Sequence, residues 1–504
     1  MLRGNISNSL RCIIRNSPMA PMLRKYFRRS QIEDVLEVGR EQGWSHAAYW
    51  ILNGPGSHYL QSGQFHNIFR RGINTNIEYE FLLTEIRKFF LLSGFSNIQD
   101  PGKIRLISTI IIQAHYNEFV WYVSDEEKDR VNSIVKSLQC EDQDESDNSA
   151  NLILLAMYSR IGQINGLSYE RHCLLLQEMK RLLPESYEIV SGYIAEHDEL
   201  LAIKVDIKQI KSIENQASIA IAKNYEEYPY PRWIDWDFPE PGKRIDKLQE
   251  FFAFDELSFS SRPFNVLVAG CGTGSKAIEY AIGYGEKAKI FAVDLSRTSL
   301  SYAIYMSKKL NIRNIEFMQM DLLDLPSLEM TFDIVECTGV LHHMQDPMKG
   351  GEAIIARVRN SGLVHISLYS ELARRSIVEL REKYALKPNM GNDEIRYKRM
   401  QMMKNDTQLI DEGLSLRWDF FDLNRCKDLL FHPLEHRFTI PKIKAMLTEL
   451  NLEFRGIERP DIIRSELWTH YPAKNEIRNF QKWHEFEVRH PDAFGNLYEI
   501  WALK

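Results

Sequence analysis

One stretch limits the fold of this chain more than any other: "VLVAGCGTGSKAIEYA", residues 266–281. An apolar run stops at Gly270, glycine returns at Gly272 and Gly274, and from Ser275 apolar positions recur at helical spacing. Glycines there let the backbone turn sharply and approach a ligand at the N-terminus of the following helix. Four more apolar runs bounded by turn signals accompany "FNVLVA" (264–269): "KIFAVD" (289–294), "NIEFMQM" (314–320), "FDIVEC" (332–337) and "GLVHISLY" (362–369). Continuous apolar runs that alternate with helical stretches specify an α/β, doubly wound parallel sheet. "LEFRGIE" (452–458) and "NLYEIWAL" (496–503) read as a terminal antiparallel pair split by a helical insert, in which Trp483 and His484 pack.

Acidic residues stand where the strands end. Asp294 closes the second run, where a carboxylate can accept both hydroxyls of a ribose. Asp321, in "MQMDLLDLP", lies just past the third, and "ECTGVLHH" follows the fourth. A dinucleotide fingerprint would need glycine at 275, where Ser275 stands. That favours S-adenosyl-L-methionine (SAM), which carries a sulfonium and no pyrophosphate, over a nicotinamide dinucleotide. The bland alternative is that Asp294 and Asp321 cap helices.

Together these features resemble a class I SAM-dependent methyltransferase. The resemblance implies a Rossmann-like sheet with a terminal hairpin and SAM as cofactor. It assigns Gly270, Cys271, Gly272 and Gly274 to the methionine part, Asp294 to the ribose, Asp321 to the adenine amino group, and Leu295 and Leu322 to the faces of the adenine ring. "EEYPYPRW", "ECTGVLHHMQDP", "SLYSELARR", "CKDLLFHPLEHRFT" and "WHEFEVRHPDAFGNLYEIW" are similar to a bacterial group of methyltransferases often fused to tetratricopeptide repeats. The likeness runs over roughly residues 65 to 504. No repeat with tetratricopeptide landmarks stands out in this chain. The group has no settled acceptor, so the resemblance implies donor and fold but no substrate.

The preceding residues, 31–223, read as an all-α domain. "EYEFLLTEIRKFFLL" (78–92) has amphipathic spacing, and further helices are expected near 103–119, 126–138, 151–160, 170–182 and 207–223, with Pro184 breaking the run. The acidic "CEDQDESDN" (140–148) reads as a solvated loop. "NYEEYPYPRW" opens a strap (224–245) into the catalytic domain, 246–504, which carries a helical insert at about 370–450. Proline stiffens such a strap into an extended form. Tyr228, Tyr230 and Trp233 would wall the mouth of the crevice, and Arg232 would pair with a carboxylate. The alternative is an interdomain staple with buried rings.

Methyl transfer is an in-line displacement that rests on positioning and exclusion of water. A general base is needed only where the acceptor must lose a proton. His342 and His343 are the first candidates for it, and Glu336 is a candidate for the donor ammonium or an acceptor amine. Tyr369, His432 and His436, with Glu371, Arg374 and Arg437, would line an acceptor pocket. His432 and His436 have the spacing of helical metal ligands, but Pro433 argues against a regular helix, and no metal is expected.

Lys and Arg total 63 against 69 Asp and Glu, and "ECTG" stands where base-modifying amino methyltransferases often carry N/D-P-P-Y. Both argue against nucleic acid as acceptor. The expected activity is methyl transfer to a protein or peptide side chain. The alternatives are a small-molecule acceptor, a SAM-binding scaffold or sensor without turnover, and, last, an NAD-dependent oxidoreductase. Six scattered cysteines without a C-x-x-C pair suit a reducing compartment. No apolar run is long enough to span a membrane. The first thirty residues are rich in Arg and Ser and free of acid, which reads as a basic arm on a cytoplasmic protein or as a mitochondrial transit segment.

Overall fold

The computed structural model describes residues 32–69, 72–94, 100–139, 145–161, 169–226, 230–233, 238–388, 390–406, 418–458, 470–473 and 476–504. The basic segment 1–30 and most of the acidic stretch expected as a loop lie outside the described residues. The chain forms two compact units, Met1–Asp198 with Leu380–Phe431, and Glu199–Glu379 with His432–Lys504.

The first unit is helical. Its helices include Glu33–Gln42, Trp44–Asn53, Ile77–Ser93, Pro101–Tyr116, Asp125–Gln139 and Glu145–Ala156, and, from the later segment, Asn392–Asn405 and Leu423–Phe431. Their starts are chemically marked: Asn76 accepts from the Tyr79 N–H, and Asp100 accepts from Gly102 and Lys103 with Pro101 next in line. Two arginines are buried among these helices. Arg399 grips both carboxylate oxygens of Glu80, donates to the Phe420 carbonyl at 2.5 Å, and lies over the Phe420 ring. Arg87 donates to Glu127 at 3.2 Å and to the Tyr122 carbonyl at 2.5 Å, and covers the Tyr158 ring. Such multiple bonding offsets much of the cost of taking an ion out of water.

The second unit is built on one seven-stranded sheet: β1 (Phe264–Ala269), β2 (Ala288–Asp294), β3 (Ile315–Gln319), β4 (Phe332–Cys337), β5 (Val358–Tyr369), β6 (Glu453–Glu458) and β7 (Leu497–Leu503), in the order β3-β2-β1-β4-β5-β7-β6. The first five are parallel, and β7 runs antiparallel to β5 and β6. Val266, Leu267, Ile334, Val335 and Val364 are wholly buried, as expected of strands covered on both faces. The order reverses between β1 and β4, and ligands of open α/β sheets sit outside the carboxyl ends of strands at such a point. The fold is therefore the α/β class expected, with its terminal antiparallel hairpin.

Two expectations bear on helix limits. Pro184 breaks the helical run as expected: one helix, Tyr169–Leu182, ends just before it, and another, Pro184–Val205, begins with it, where its missing N–H costs nothing. The helix expected over 207–223 begins only at Gln216. Ahead of it the chain is extended alongside β3: Ile210 N–H donates to the Gln319 carbonyl and Gln319 N–H to the Lys208 carbonyl.

Candidate functional site

The end of β1 is made of backbone. Gly270, Gly272 and Gly274 all have positive φ, of 76°, 52° and 82°. A Cβ on Gly270 would lie 2.2 Å from Val340 Cγ2, and one on Gly274 would lie 2.6 Å from Ala303 Cβ, so the turn is wedged between its neighbours. At Gly272 the nearest atom to an added Cβ is the Tyr230 carbonyl oxygen, at 3.3 Å. Helix Ser275–Tyr284 starts directly after the turn.

The turn is tied to the next strand end. Gly272 N–H donates to Asp294 Oδ2 at 2.7 Å, and Ser296 N–H donates to Asp294 Oδ1 at 2.9 Å. Burial pushes the Asp294 carboxyl upward from its ordinary value, these two N–H groups offset part of that, and it remains raised. The Asp294 carbonyl accepts from Met320 N–H, which joins the β2 and β3 ends. Asp321 is buried, and its Oδ1 accepts from Leu323 N–H at the start of a short 3₁₀ turn. Leu322 and Cys271 are buried and Leu295 is half-buried.

The strap lies against this turn. Thr273 Oγ1 donates to the Pro231 carbonyl at 2.5 Å, and Trp233 Nε1 donates to the Thr273 carbonyl at 3.1 Å. The Trp233 ring is buried, edge-on to Tyr302 and Phe238, and its carbonyl accepts from the Tyr302 hydroxyl. The indole thus packs behind the turn, as in the alternative of a strap with buried rings. The Arg232 guanidinium stands 5.6 Å from the centre of the Tyr302 ring. Tyr230 stacks on Tyr225, with centroids 5.8 Å apart. Tyr228 lies outside the described residues.

The ends of β4 and β5 are instead crowded with rings. His342 stacks on Tyr369 at 3.7 Å and meets His343 edge-on at 4.4 Å. His343 lies over His432 at 3.7 Å. His432 Nε2 is 3.1 Å from the Tyr225 hydroxyl, and Tyr225 leads back to Tyr230 at the turn. Arg374 lies over Tyr369 at 3.8 Å and makes a two-pronged pair with Glu435, at 2.9 and 2.7 Å. Segment 432–438 covers the row: His436 N–H donates to the His342 carbonyl and Phe438 N–H to that of Tyr369, both at 2.8 Å. The structure thus brings Tyr230, His342, His343, Tyr369, His432 and His436 together.

Glu336 is placed elsewhere. It is wholly buried within the sheet, where Arg244, Tyr284 and His365 all hydrogen-bond its carboxylate. That leaves it committed to the fold rather than aimed at a donor ammonium, as expected from sequence. Burial pushes Glu336 upward, but Arg244 and His365 outweigh it and hold it at about 2. Burial lowers His365, but Glu336 and Glu499 outweigh it and lift it to about 9. Arg244 lies over Tyr280, and the Tyr280 hydroxyl is 3.4 Å from Thr338 Oγ1, just past β4. Arg244, His365 and Glu499 were not foreseen, because nothing local marks partners so far apart in the chain. Tyr225 and Glu435 were within reach, since both sit inside the quoted motifs.

Residues 261–413 match the family model of a methyltransferase domain. The second unit has the class I methyltransferase fold. An uncharacterized protein of Synechococcus is 33% identical over 171 residues, 33% of this chain and 40% of that protein, so the chain spans less than half the length of that curated relative. Among solved structures, PKMT2 from Rickettsia typhi in complex with AdoHcy is similar at 16% identity, over 53% of this chain and 54% of that one, with a TM-score of 0.36. Magnesium protoporphyrin IX methyltransferase from Synechocystis PCC 6803 with bound SAH is similar at 14% identity, over 63% of this chain and 99% of that one, with a TM-score of 0.29.

SAM is the cofactor of such a domain, and the residues present fit it. The glycine turn at Gly272 meets no side chain where a Cβ would stand, and a carboxylate ends each of the next two strands. Among the described residues, no helix is long and apolar enough to cross a membrane.

Proposed function

We propose that this chain is a SAM-dependent methyltransferase whose acceptor is received at the row of rings beyond β4 and β5. The observation that carries it is the linkage of three strand ends: Gly272 N–H to the Asp294 carboxylate, and Met320 N–H to the Asp294 carbonyl, beside buried Asp321. Asp294 and Asp321 would hold ribose and adenine, with Leu295 and Leu322 against the base, and the turn 270–274 would hold the methionine part. When bound, the donor supplies an electrophilic methyl group on a sulfonium. The chain's own contribution is placement: the strap backbone at Tyr230 and Pro231 closes the turn on one side, and Val340 closes it on the other. Water is excluded from the far side by His342, His343 and Tyr369, all buried.

An acceptor that reaches such buried rings is compact. It is a small molecule or one protruding side chain of a peptide or protein, and a nucleic-acid duplex does not suit the site. Calorimetric titration with SAM tests the donor site. Micromolar binding by wild type should weaken about 100-fold or more in Asp294→Ala, since a charged acceptor of two ribose hydrogen bonds is removed. Wild-type protein that binds no SAM, alone or with cell extract added, would overturn the reading.

A further inference from the structure

The ring of His342 is wholly buried and the Ser367 backbone lies beside it, yet among the described residues neither Nδ1 nor Nε2 reaches a partner in full hydrogen-bond geometry. Buried polar groups in folded proteins are nearly always partnered, and an exception asks for a reason. The nearby histidines differ. His343 Nδ1 pairs with the Leu434 carbonyl at 2.8 Å, and His432 engages both ring nitrogens, with Leu434 and Tyr225. His436 leaves only its Nε2 so. His342 is also tied to the donor turn, because Val340, two residues earlier, is the side chain in contact with Gly270. Its ring is kept in one orientation by Tyr369 and His343, and its backbone by His436. If one nitrogen turns to the Ser367 backbone, the other is left to take a proton, and a fixed imidazole in that state beside the donor turn is a base.

The groups that face this ring select the acceptor. They are His343 on its own segment, the Ser367 backbone and Tyr369 on β5, Arg374 after it, and His432, Glu435 and His436 on the cover. Glu435 is spent on Arg374. Arg374 is neutralised by the same pair, so an ammonium acceptor would enter against the sulfonium donor. A hydroxyl enters neutral and gains negative charge as its proton leaves, which the same surroundings stabilise.

We infer that His342 is the catalytic base and that the acceptor is a hydroxyl, methylated on oxygen. This rests on the methyltransferase reading above. The hydroxyl oxygen bonds the methyl carbon as the carbon–sulfur bond breaks, and its electron pair stays on sulfur. The hydroxyl proton passes to a free nitrogen of His342 and then to solvent. Entry of the acceptor displaces the cover 432–438. Burial first, then the neighbouring His343 and Arg374, outweigh the opposing Ser367 backbone and hold His342 well below its ordinary value, so it stands unprotonated at neutral pH.

The test uses the full chain, methyl-labelled SAM and an extract of the cells that make the protein. Wild type should transfer label that hydriodic acid releases as methyl iodide and mild alkali leaves in place, the behaviour of an ether. His342→Gln should bind SAM with wild-type affinity and transfer at least about 100-fold more slowly. Label on nitrogen, label lost to mild alkali, or a glutamine variant within threefold of wild type would overturn the inference while leaving the donor reading intact. So would SAM binding with no transfer at all, whereas failure to bind SAM would overturn the donor reading itself. Should the variant not fold, the wild-type pH profile decides: an acidic limb with its midpoint below 6.5 supports the base, and a flat profile from pH 5 to 8 refutes it.

Discussion

The ends of β1, β2 and β3 and the ends of β4 and β5 share one edge of the sheet but are made of different material. The first set is backbone: three glycines, N–H groups aimed at Asp294, and a carboxylate that starts a 3₁₀ turn. The second set is side chain: His342, His343, Tyr369, Arg374 and, folded over them, His432 and Glu435. Backbone groups cannot be exchanged by point substitution, so the first set suits a ligand that never varies. Side chains can be exchanged one at a time, so the second set suits a partner that differs between relatives. A methyl donor and a methyl acceptor divide in that way.

The sharpest way to break the contrast is at the contact between the two sets. Gly270→Ala places a Cβ 2.2 Å from Val340 Cγ2 at a φ of 76°. Left-handed strain and overpacking together should cost about 2–5 kcal/mol, read as a lower midpoint in urea unfolding. SAM binding should be lost with it, and the β4 end should be disturbed too, because Val340 must move.

A second break lies beneath the β4 end. Glu336→Gln leaves Arg244 and His365 without their shared carboxylate, and uncompensated buried charge costs about 3–5 kcal/mol. The pH dependence identifies the cause. The folded value of His365 is raised, so its contribution is full below its ordinary 6.5 and is lost as pH rises through about 9. Glu336 is depressed, so its contribution is present above its ordinary 4.5 and is lost as pH falls through about 2. Stability of wild type measured from pH 6.5 to 9 should fall, and this slope should flatten in Glu336→Gln.

The smallest effect sharpens the comparison on the donor side. Trp233→Phe keeps a buried ring but removes the bond from Nε1 to the Thr273 carbonyl. It should cost about 1–2 kcal/mol in unfolding and weaken SAM only a few-fold, with methyl transfer reduced no further than SAM binding is. A loss of transfer well beyond the loss of SAM affinity would put Trp233 back in the acceptor wall.

The same contrast explains what was legible in the sequence. β1, β2 and β4 were found at or within a residue of their limits, because a strand buried on both faces is a continuous apolar run and each ends at a glycine or a polar residue. β5 was found short, since its first residues, "VRNS", are polar and look like loop although Val358 pairs with Phe332. The break at Pro184 is legible because proline cannot continue a helix, and the same residue opens the next one. Around the glycine turn, glycine and aspartate have few other reasons to occur at those spacings, so the sharp turn after β1 is legible in the local pattern. The ring row and the Glu336 cluster depend on residues brought together only by the sheet, and histidines in a sequence do not announce which of them will be left without a partner.

The extended segment at 208–210 has a consequence for the life of the protein in solution. β3 is the outermost parallel strand, and such an edge offers unpaired amide and carbonyl groups to any other chain that passes. Here Lys208 and Ile210 occupy the Gln319 position of that edge. Removing them would expose a template for fibre-like association, so the segment acts as a guard against aggregation as well as a connection.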